Sequence, residues 1–569
     1  MYVEVIPNRN SPPAVLLREG WREGKHVRKR TVANLSQWPA AKVATLRRLL
    51  RDEPLMGPDD IFSIERSVPH GHVAAILGTI RSSGLDKVIA AERCRERDLV
   101  VAMIAQRLLM PCSKLETSRL WETTTLGEEL GVADADEDDL YGAMDWLLAR
   151  QDRIEKKLAG RHLEQGGLVL YDVSSSYYQG YTCPLAQFGY SRDGKRNKPI
   201  VVYGLMTDGD GRPVAMEVYP GDASDPTTVP DQVDKLRNRF GLERVVLIGD
   251  RGMLTETQIG HLKEHPGLGW ISALRSKAIR GLVEGGQLQL SLFDEQNLAE
   301  ITSPEFPGER LVACYNPLMA EERRRKRNEL LLATEQLLEG IAQEVSRRTN
   351  TPLSKVEIAE KVGSKRNRYK VGKHFDVTVE DGHFSFARKE GEIRREAALD
   401  GIYVIRTSEP AERLSAQDAV RNYKTLALVE VAFRCLKGMD LRIRPINHYR
   451  EPRVRAHIFL CMLAYYVEWH MRKALAPLLF EDEELDKLRK TRDPIARATA
   501  SESAKRKKKR SPDGSPTHSF RSLMQHLGTL CRNQCRLWAE TDAPVVYRLT
   551  TATPLQQQAL QLLGLNRSQ

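Results

Sequence analysis

The sequence predicts an α/β protein whose core is a mixed sheet flanked by helices, with an insertion domain and an additional helical domain on its N-terminal side. Short apolar runs rich in β-branched residues, such as "KPIVVYGLMT" and "RVVLIGDRGM", have the length and composition of buried strands. Longer segments with apolar residues every three or four positions, typical of amphipathic helices, lie before and after these runs. A chain of 569 residues is long enough to form several domains.

Composition indicates a soluble globular protein, with 41% hydrophobic and 29% charged residues. The formal net charge of +11 and the sequence pI near 9.1 favour polyanionic partners. The eight cysteines include no C-x-x-C pair, so reduced thiols are expected. The opening "MYVEVIPNRN" does not resemble a signal peptide, and the most apolar helix, "AHIFLCMLAYYVEWH", is too short to span a bilayer. We therefore expect a cytoplasmic protein with no membrane partner.

The chain before the core is predicted to form two parts. Residues 1–68 form a small basic β unit, in which a turn around Glu23 and Gly24 joins two strands. Residues 69–165 form a helical domain, where "ERDLVVAMIAQRLLMPCSKLETSRLWE" predicts two helices broken at Pro111 with Ser113 as the second N-cap. Two joined helices are compatible with a helix-turn-helix but are common in any helical domain. Both DNA binding and dimerisation stay open for this domain.

Residues 166–275 are predicted to be the first part of the core. "GLVLYDVSSSYY" is an apolar strand that ends in Asp172, and two runs separated by "DGDG" form an antiparallel hairpin after it. A helix then leads to "RVVLIGDRGM", a second apolar strand that ends in Asp250. The predicted order is strand with Asp, hairpin, helix, strand with Asp.

The remaining chain is divided into three parts. Residues 276–398 are predicted to be an insertion with its own small fold, including a helix with Thr351 as N-cap and Gly363 as C-cap. Residues 399–475 are the second part of the core, and residues 476–569 a C-terminal helical region. A flexible basic run at residues 505–510 either contacts phosphates or only keeps the chain soluble.

The helix "YKTLALVEVAFRCLKG" carries a glutamate within an apolar stripe. Tyr423, Glu430 and Lys437 recur at seven-residue spacing and so lie along one helix face. Burying a lone carboxylate costs several kcal/mol, roughly, unless a cation or hydrogen-bond donors compensate. An ion pair with Lys437 or Arg434 would explain Glu430, and so would a solvated surface position.

Asp172 and Asp250 offer a third explanation for Glu430. A single Asp at a strand end commonly caps backbone N–H groups, but two adjacent strands and an inward-facing helix would bring three carboxylates together. Such carboxylates repel one another unless a hard cation neutralises them, and Mg²⁺ is the natural choice. Two Mg²⁺ ions about 4 Å apart can promote phosphodiester cleavage and strand transfer. No phosphate loop, G-x-G-x-x-G, G-x-S-x-G or H-E-x-x-H motif competes with this interpretation.

This order of elements resembles the RNase H-like DDE transposases of bacterial insertion sequences. The chain is similar to the branch marked by Y-x2-R-x3-E-x6-K, because Tyr423, Glu430 and Lys437 have that spacing, although Leu426 occupies the arginine position. "IGDRGM", "VYPGDASD" and "INHYREPRVRAH" also resemble that branch. The resemblance covers residues 165 to 470, roughly, and implies an RNase H-like catalytic core.

The resemblance also implies the activity and the partners. It predicts Mg-dependent cleavage at the element ends and strand transfer into target DNA, as in cut-and-paste transposition. Two Mg²⁺ ions, or Mn²⁺, are expected on Asp172, Asp250 and Glu430. The expected partners are double-stranded DNA, namely terminal inverted repeats and target DNA, and a second copy in a homodimer. A nucleoid-associated protein of the bacterial cytoplasm is expected.

Further residue roles follow from the same resemblance. Tyr423 and Lys437 are expected to hold the phosphates of the transposon end. Arg434 either replaces the arginine missing at Leu426 or forms a plain ion pair with Glu430.

Two other interpretations stay open. One is a catalytically inactive, transposase-derived DNA-binding protein, and the other is an RNase H-like nuclease without strand transfer. Some relatives form a DNA hairpin with the help of an insertion-domain tryptophan, but no Trp occurs between Trp270 and Glu430. Phe384 or Tyr369 could stack on a base instead.

Overall fold

The computed structural model of the chain describes most of its residues, and these form two compact units. One unit comprises Met1–Pro69 and Leu530–Thr551, and the other comprises His70–Thr529 and Ala552–Gln569. Most of the predicted basic run, residues 505–508, lies outside the described residues. The described residues are 1–9, 11–53, 62–180, 182–195, 197–293, 296–481, 491, 493–495, 509–511, 514–537 and 544–565.

Within its described residues, the first unit contains two three-stranded antiparallel sheets and one helix. The sheets have the orders β1-β2-β3 and β16-β15-β4. The predicted turn around Glu23 and Gly24 is confirmed, since Glu23 pairs with His26 and Gly24 has a positive φ of 62°. The elements are β1 Tyr2–Ile6, β2 Ala14–Glu23, β3 His26–Asn34, α1 Ala40–Leu49, β4 Phe62–Pro69, β15 Cys531–Leu537 and β16 Val545–Leu549.

The second unit begins with a group of helices. The predicted break at Pro111 is confirmed, because one helix ends at Leu109 and the next begins at Lys114. Ser113 caps the second helix, and its hydroxyl accepts a hydrogen bond from the Glu116 N–H at 3.1 Å. The helices are α2 Gly71–Ser82, α3 Leu85–Ile89, α4 Arg95–Leu109, α5 Lys114–Arg119, α6 Leu126–Leu130, α7 Glu137–Leu148 and α8 Gln151–His162.

A mixed eight-stranded sheet forms the centre of the second unit, in the order β10-β11-β14-β9-β8-β5-β6-β7. β5, β8 and β9 are parallel, whereas the other pairs are antiparallel. The five strands β7-β6-β5-β8-β9 have the order and direction of an RNase H-like core, which confirms the predicted fold class. The strands are β5 Leu168–Tyr177, β6 Ile200–Asp208, β7 Pro213–Tyr219, β8 Val245–Ile248, β9 Leu268–Ala273, β10 Leu298–Ile301, β11 Arg310–Tyr315, β12 Phe375–Glu380, β13 His383–Arg388 and β14 Ile402–Thr407.

Helices flank this sheet. α17 has more buried residues than any other described helix; it packs on α4, α7 and β7 and is the core helix that the sequence predicts. A 3-10 turn, Asp225–Thr228, precedes α9, and a π-helical segment, Lys235–Arg239, follows it. The helices are α9 Val229–Asp234, α10 Glu256–Lys263, α11 Ser276–Glu284, α12 Pro317–Arg347, α13 Lys355–Arg366, α14 Glu390–Ala397, α15 Ala416–Lys424, α16 Ala427–Lys437, α17 Glu451–Leu475, α18 Phe520–Gly528 and α19 Pro554–Leu562.

The strand that carries Asp172 is longer than the sequence predicts. β5 was expected to end at Asp172, but it continues to Tyr177. The reason is the pairing with β6, which extends to Tyr177 opposite Ile200, whereas the pairing with β8 ends at Leu170. Within the described residues, one edge of β5 therefore has no strand partner beyond the point where β8 ends.

The stretch predicted as an insertion, residues 276–398, contributes to two cores. β10 and β11 join the central sheet, while α12, α13 and the β12–β13 hairpin bury a separate apolar cluster that includes Leu338 and Phe375. The predicted cap of α13 was wrong. Ser354, not Thr351, is the N-cap, because Ser354 and Glu357 form a reciprocal capping box. The helix then passes through Gly363 to Arg366.

No helix in the described part of the chain combines the length and the apolar character that crossing a membrane requires.

A buried ion triad holds α8, β7 and the π-helical segment together. The Lys235 ammonium is 1% exposed and donates to Glu155 at 3.0 Å and to Glu217 at 3.1 Å. The Glu155 carboxylate is fully buried, so it depends on this cation for charge compensation.

Replacing Lys235 should destabilise the second unit. Lys235→Met leaves the buried Glu155 without a cation, at a cost of about 3–5 kcal/mol, and should lower the urea midpoint measured by circular dichroism. Lys156→Met, at an exposed position of α8, is the matched control and should change stability by less than about 0.5 kcal/mol. Equal midpoints for the two variants would contradict the role of the triad.

Candidate active site

The predicted catalytic residues line one cavity of the second unit. This cavity has a volume of about 520 Å³. Asp172, Asp250 and Glu430 all lie on its wall, together with Arg434 and Lys437. The other lining residues are Val173, Ser174, Arg192, Asp193, Asp225, Phe433, Gly438 and Arg444.

The parallel register of β5 and β8 places the two aspartates at the same level. Leu170 is paired with Ile248, and each aspartate follows its member of this pair by two positions. Asp250 Oδ1 accepts hydrogen bonds from the N–H groups of Gly252 at 2.9 Å and Met253 at 2.7 Å. These bonds fix the turn after β8, so the carboxylate has a defined position.

Asp172 lies in an environment that disfavours its charge. Burial raises the pKa of its carboxyl to about 7, and the negative charge of Asp250 adds to this increase. The Val173 N–H, which donates to the carboxylate at 2.8 Å, lowers the pKa and so opposes the increase. A carboxyl group with this pKa is half-protonated at neutral pH. The nearby Arg192 charge compensates this carboxylate only in part.

Glu430 lies on α16, which packs against β5 and α17. Its side chain is exposed and lines the cavity. Within the described residues, Glu430 forms no ion pair with Arg434 or Lys437, so neither of the simple pairs considered from the sequence is present. Arg434 is also exposed at the cavity.

Tyr423 belongs to a different helix from Glu430. The sequence predicts one helix through both residues, but α15 ends at Lys424 and α16 begins at Ala427. Short i→i−3 backbone bonds tighten the chain here, including the Leu426 N–H to Tyr423 O bond at 3.2 Å. The expectation of one continuous helix was therefore wrong.

Tyr423 nevertheless stays close to the carboxylates. Burial raises the pKa of its hydroxyl to about 12, and the charges of Asp250, Glu430 and Asp172 contribute to the increase. Leu426 occupies the arginine position of the signature Y-x2-R-x3-E-x6-K. It is 9% exposed and packs in the main hydrophobic core. No hydrogen-bond donor can come from this side chain.

Asp193 is a site residue that the sequence did not predict. Its side chain is 2% exposed and accepts from the Lys437 ammonium at 3.1 Å, from the Arg444 guanidinium, and from the Tyr177 N–H at 3.1 Å. Burial lowers the pKa of Lys437, and Asp193 opposes that effect. The predicted phosphate-binding lysine is thus held by an internal carboxylate.

Arg192 and Asp225 complete the polar lining. The Arg192 guanidinium donates to the Asp225 carboxylate, which links the loop after β5 to the loop after β7. In the sequence, Arg192 lies in the charged stretch "SRDGKRN", which is typical of a solvent-facing loop, whereas Asp225 ends the segment "VYPGDASD" that carries part of the resemblance.

A second acidic cluster lies apart from the lining residues of the cavity. Cys435, Asp440 and Glu468 have potential ligand atoms within 4.8 Å of one another, whereas the oxygens of Asp172, Asp250 and Glu430 do not meet that condition in the described chain. Arg472 already pairs with Glu468 at 2.6 Å and with Asp440 at 3.0 Å. Because this guanidinium compensates the charges, the cluster is an internal ion-pair network.

Comparisons with known proteins agree with this architecture. A mixed sheet in this order, with carboxylates on one cavity, is typical of RNase H-like enzymes that act on nucleic acids. The family model described as "Transposase DDE domain" matches residues 168–467, and the N-terminal domain of IS1634 family transposases matches residues 3–55. The chain belongs to the DDE transposase family; it is a transposase of an insertion sequence, an enzyme that acts on DNA.

Other comparisons add little. No curated protein matches the chain. A cryo-EM structure of the piggyBac transposase synaptic complex with hairpin DNA is similar at 10% sequence identity and a TM-score of 0.35, covering 80% of this chain and 76% of that chain.

Removing the Asp193 charge should strengthen DNA binding by the cavity. Asp193→Asn keeps an acceptor for the Tyr177 N–H but frees Lys437 and Arg444 for phosphates, so the slope of log Kd against log salt should steepen by about one to two. Fluorescence anisotropy with a labelled duplex between low and moderate salt measures this slope. Asp222→Asn, at an exposed position, is the control. Identical slopes for the two variants would show that Asp193 does not withhold Lys437 and Arg444 from phosphates.

Proposed function

We propose that this transposase performs cut-and-paste transposition, with cleavage at the element ends and strand transfer into target DNA at the cavity. Asp172, Asp250 and Glu430 are the proposed catalytic residues and metal ligands. The observation that supports this proposal best is the convergence of these three carboxylates and the cations Arg434 and Lys437 on one cavity.

The donor set fits a hard divalent cation. All three groups offer carboxylate oxygens, which Mg²⁺ prefers and Mn²⁺ accepts, and the raised pKa of Asp172 indicates a carboxylate whose charge is not yet compensated. DDE transposases use divalent metal ions. Two Mg²⁺ ions bound there would activate a water or a 3′-hydroxyl and stabilise the leaving oxygen.

The chain's own cations would orient the DNA. Arg434 is exposed at the cavity and forms no ion pair within the described residues, so its guanidinium can reach a phosphate in bidentate fashion. Lys437 would exchange Asp193 for a phosphate of the transposon end. The Tyr423 hydroxyl would stay protonated and donate a hydrogen bond to a phosphate of the same end. Arg434 would supply the contact that Leu426 cannot make.

The proposed partners are the terminal inverted repeats, the target DNA and a second copy of the chain in a homodimer. Two ends must be cut and joined in a coordinated way, which two copies allow. The first unit and the helices before β5 are proposed to recognise the ends or to mediate dimerisation. The proposed location is the bacterial cytoplasm, at the nucleoid.

Substitution of Glu430 should abolish the reaction. With Mg²⁺ and a duplex that carries the inverted repeats flanking its gene, the wild-type protein should cleave at the repeat boundary and join the end to a target. Glu430→Ala should reduce both steps at least about 100-fold, because a metal ligand is lost. Gel analysis of labelled DNA measures cleavage and joining separately.

Glu412→Ala, an exposed glutamate before α15, is the matched control and should behave like the wild type. Nicking without joining would favour the nuclease interpretation. Binding without cleavage, unchanged by Glu430→Ala, would favour the inactive DNA-binding protein.

Metal affinity should depend on pH through Asp172. The metal binds the deprotonated carboxylate, and the pKa near 7 means that a proton must leave when metal binds below this pH. The apparent Kd for Mn²⁺, measured by titration calorimetry, should therefore weaken by about tenfold per pH unit below 7 and level off above it.

Asp172→Asn should bind Mn²⁺ more weakly and lose most of this pH dependence. An apparent Kd that stays constant from pH 5.5 to pH 8, roughly, would contradict a proton-coupled ligand.

A further inference from the structure

The loop between β5 and β6 carries two unusually exposed aromatic side chains. Tyr190 is 81% exposed and Phe188 is 71% exposed, the highest values among the large hydrophobic side chains of the described chain. Phe188 contacts no other aromatic ring within the described residues. The Tyr190 ring has the Arg192 guanidinium at 5.9 Å from its centroid.

The backbone that carries these rings is firmly held. Gln187 and Ile200 exchange two backbone hydrogen bonds, at 3.1 Å and 2.8 Å. The backbone of Gly189 lies directly against Gly221, since a Cβ on Gly189 would be 2.0 Å from the Gly221 carbonyl oxygen. Only glycine fits at either position, so the loop cannot shift without separating the backbone segments that contain Gly189 and Gly221.

The loop is also held on its other side. The Arg192 N–H donates to Ser175 Oγ at 3.3 Å, and the Tyr177 N–H donates to the Asp193 carboxylate at 3.1 Å. Exposure of the two rings is therefore not the result of an unattached loop. The fold presents two rings to solvent on a fixed backbone.

The position of the loop connects it with the cavity. Arg192 and Asp193, two and three positions after Tyr190, line the cavity. The Arg192 guanidinium lies near the Tyr190 ring and also pairs with Asp225 on the cavity wall. The aromatic pair thus belongs to the same loop as two residues of the cavity wall.

We propose that Phe188 and Tyr190 form a stacking platform for an unpaired base of the DNA strand that enters the cavity. This proposal rests on the proposed function, because it assumes that DNA reaches the carboxylates. Aromatic rings stack on any base whose face is free, with little preference for sequence. Bases within a duplex already stack on one another, so the occupant must be unpaired or extruded.

The surroundings favour a nucleotide over an apolar protein segment. Four cations and five carboxylates line the adjacent cavity, and Arg434, which forms no ion pair within the described residues, is the cation that offers a phosphate contact. In the described part of the insertion, neither aromatic residue considered from the sequence offers such a platform, because Phe384 is 6% exposed and Tyr369 packs against the insertion core.

Fluorescence of a base analogue tests the platform without requiring cleavage. The probe is an arbitrary-sequence duplex with a short single-stranded 3′ tail that contains 2-aminopurine, bound to Glu430→Gln protein. Stacking should quench the probe. Phe188→Ala and Tyr190→Ala, each combined with Glu430→Gln, should relieve the quenching and weaken binding by about 5- to 150-fold.

Further variants separate stacking from other effects. Tyr190→Trp should retain quenching and affinity, whereas Tyr190→Leu should behave like Tyr190→Ala, because leucine supplies apolar area without a π-face. Val356→Ala, at a position 67% exposed on α13, is the control and should bind like the parent. A fully paired duplex should bind all variants equally well.

The outcomes distinguish this proposal from the proposed function. If the wild type cleaves and joins DNA but Phe188→Ala and Tyr190→Ala leave quenching and affinity unchanged, the platform is refuted and the transposition proposal stands. If the quenching depends on both rings but no DNA is cleaved, the platform stands and the transposition proposal fails. Equal binding by Tyr190→Leu and wild type would also refute stacking.

Discussion

The parallel pairing of β5 with β8 is the constraint on which the candidate site depends. It sets Asp172 level with Asp250, and it ends early, so the later residues of β5 lack a strand on that side. A buried strand edge needs partners for its N–H and C=O groups. At Tyr177 these come from other parts of the chain, since its N–H donates to Asp193 and its carbonyl accepts from the Ile446 N–H at 3.2 Å. Hydrogen bonds at the free edge of β5 thus hold the segments around Asp193 and Ile446 beside the same cavity.

Sequence patterns predicted the members of the site better than its geometry. Apolar strands that lead to Asp172 and Asp250, and a heptad position for Glu430, were sufficient to predict three carboxylates near one end of a sheet. The predicted end of β5 at Asp172 was wrong, because periodicity does not reveal how far a partner strand extends. The prediction of one helix through Tyr423 and Glu430 was also wrong, since apolar spacing alone does not detect the i→i−3 backbone bond at Leu426. Both errors concern pairing and local winding, whereas the choice of residues depended on chemistry.

Asp193, Arg192 and Arg444 could not be predicted for a different reason. Each comes from a segment between regular elements, and its role depends on contacts with residues far along the chain. The sequence shows only charged residues beside turn residues, which is typical of solvated loops. A buried carboxylate shared by a lysine, an arginine and a strand edge has no local signature. The exposed pair Phe188 and Tyr190 was missed similarly, because exposure is a property of the fold and not of the residue type.

The pairing of β4 with β15 has a consequence for how the protein is made. Val68 lies opposite Arg532, so two of the three strands in this sheet are synthesised long after the first. While a ribosome extends the chain, domains tend to fold in the order of their synthesis. This sheet cannot form until β15 and β16 have been synthesised. Until residues 531–549 emerge, β4 presents an unpaired edge, a common site of association between chains. A prematurely terminated product could contain all three candidate catalytic carboxylates and still lack the strands that complete its first unit.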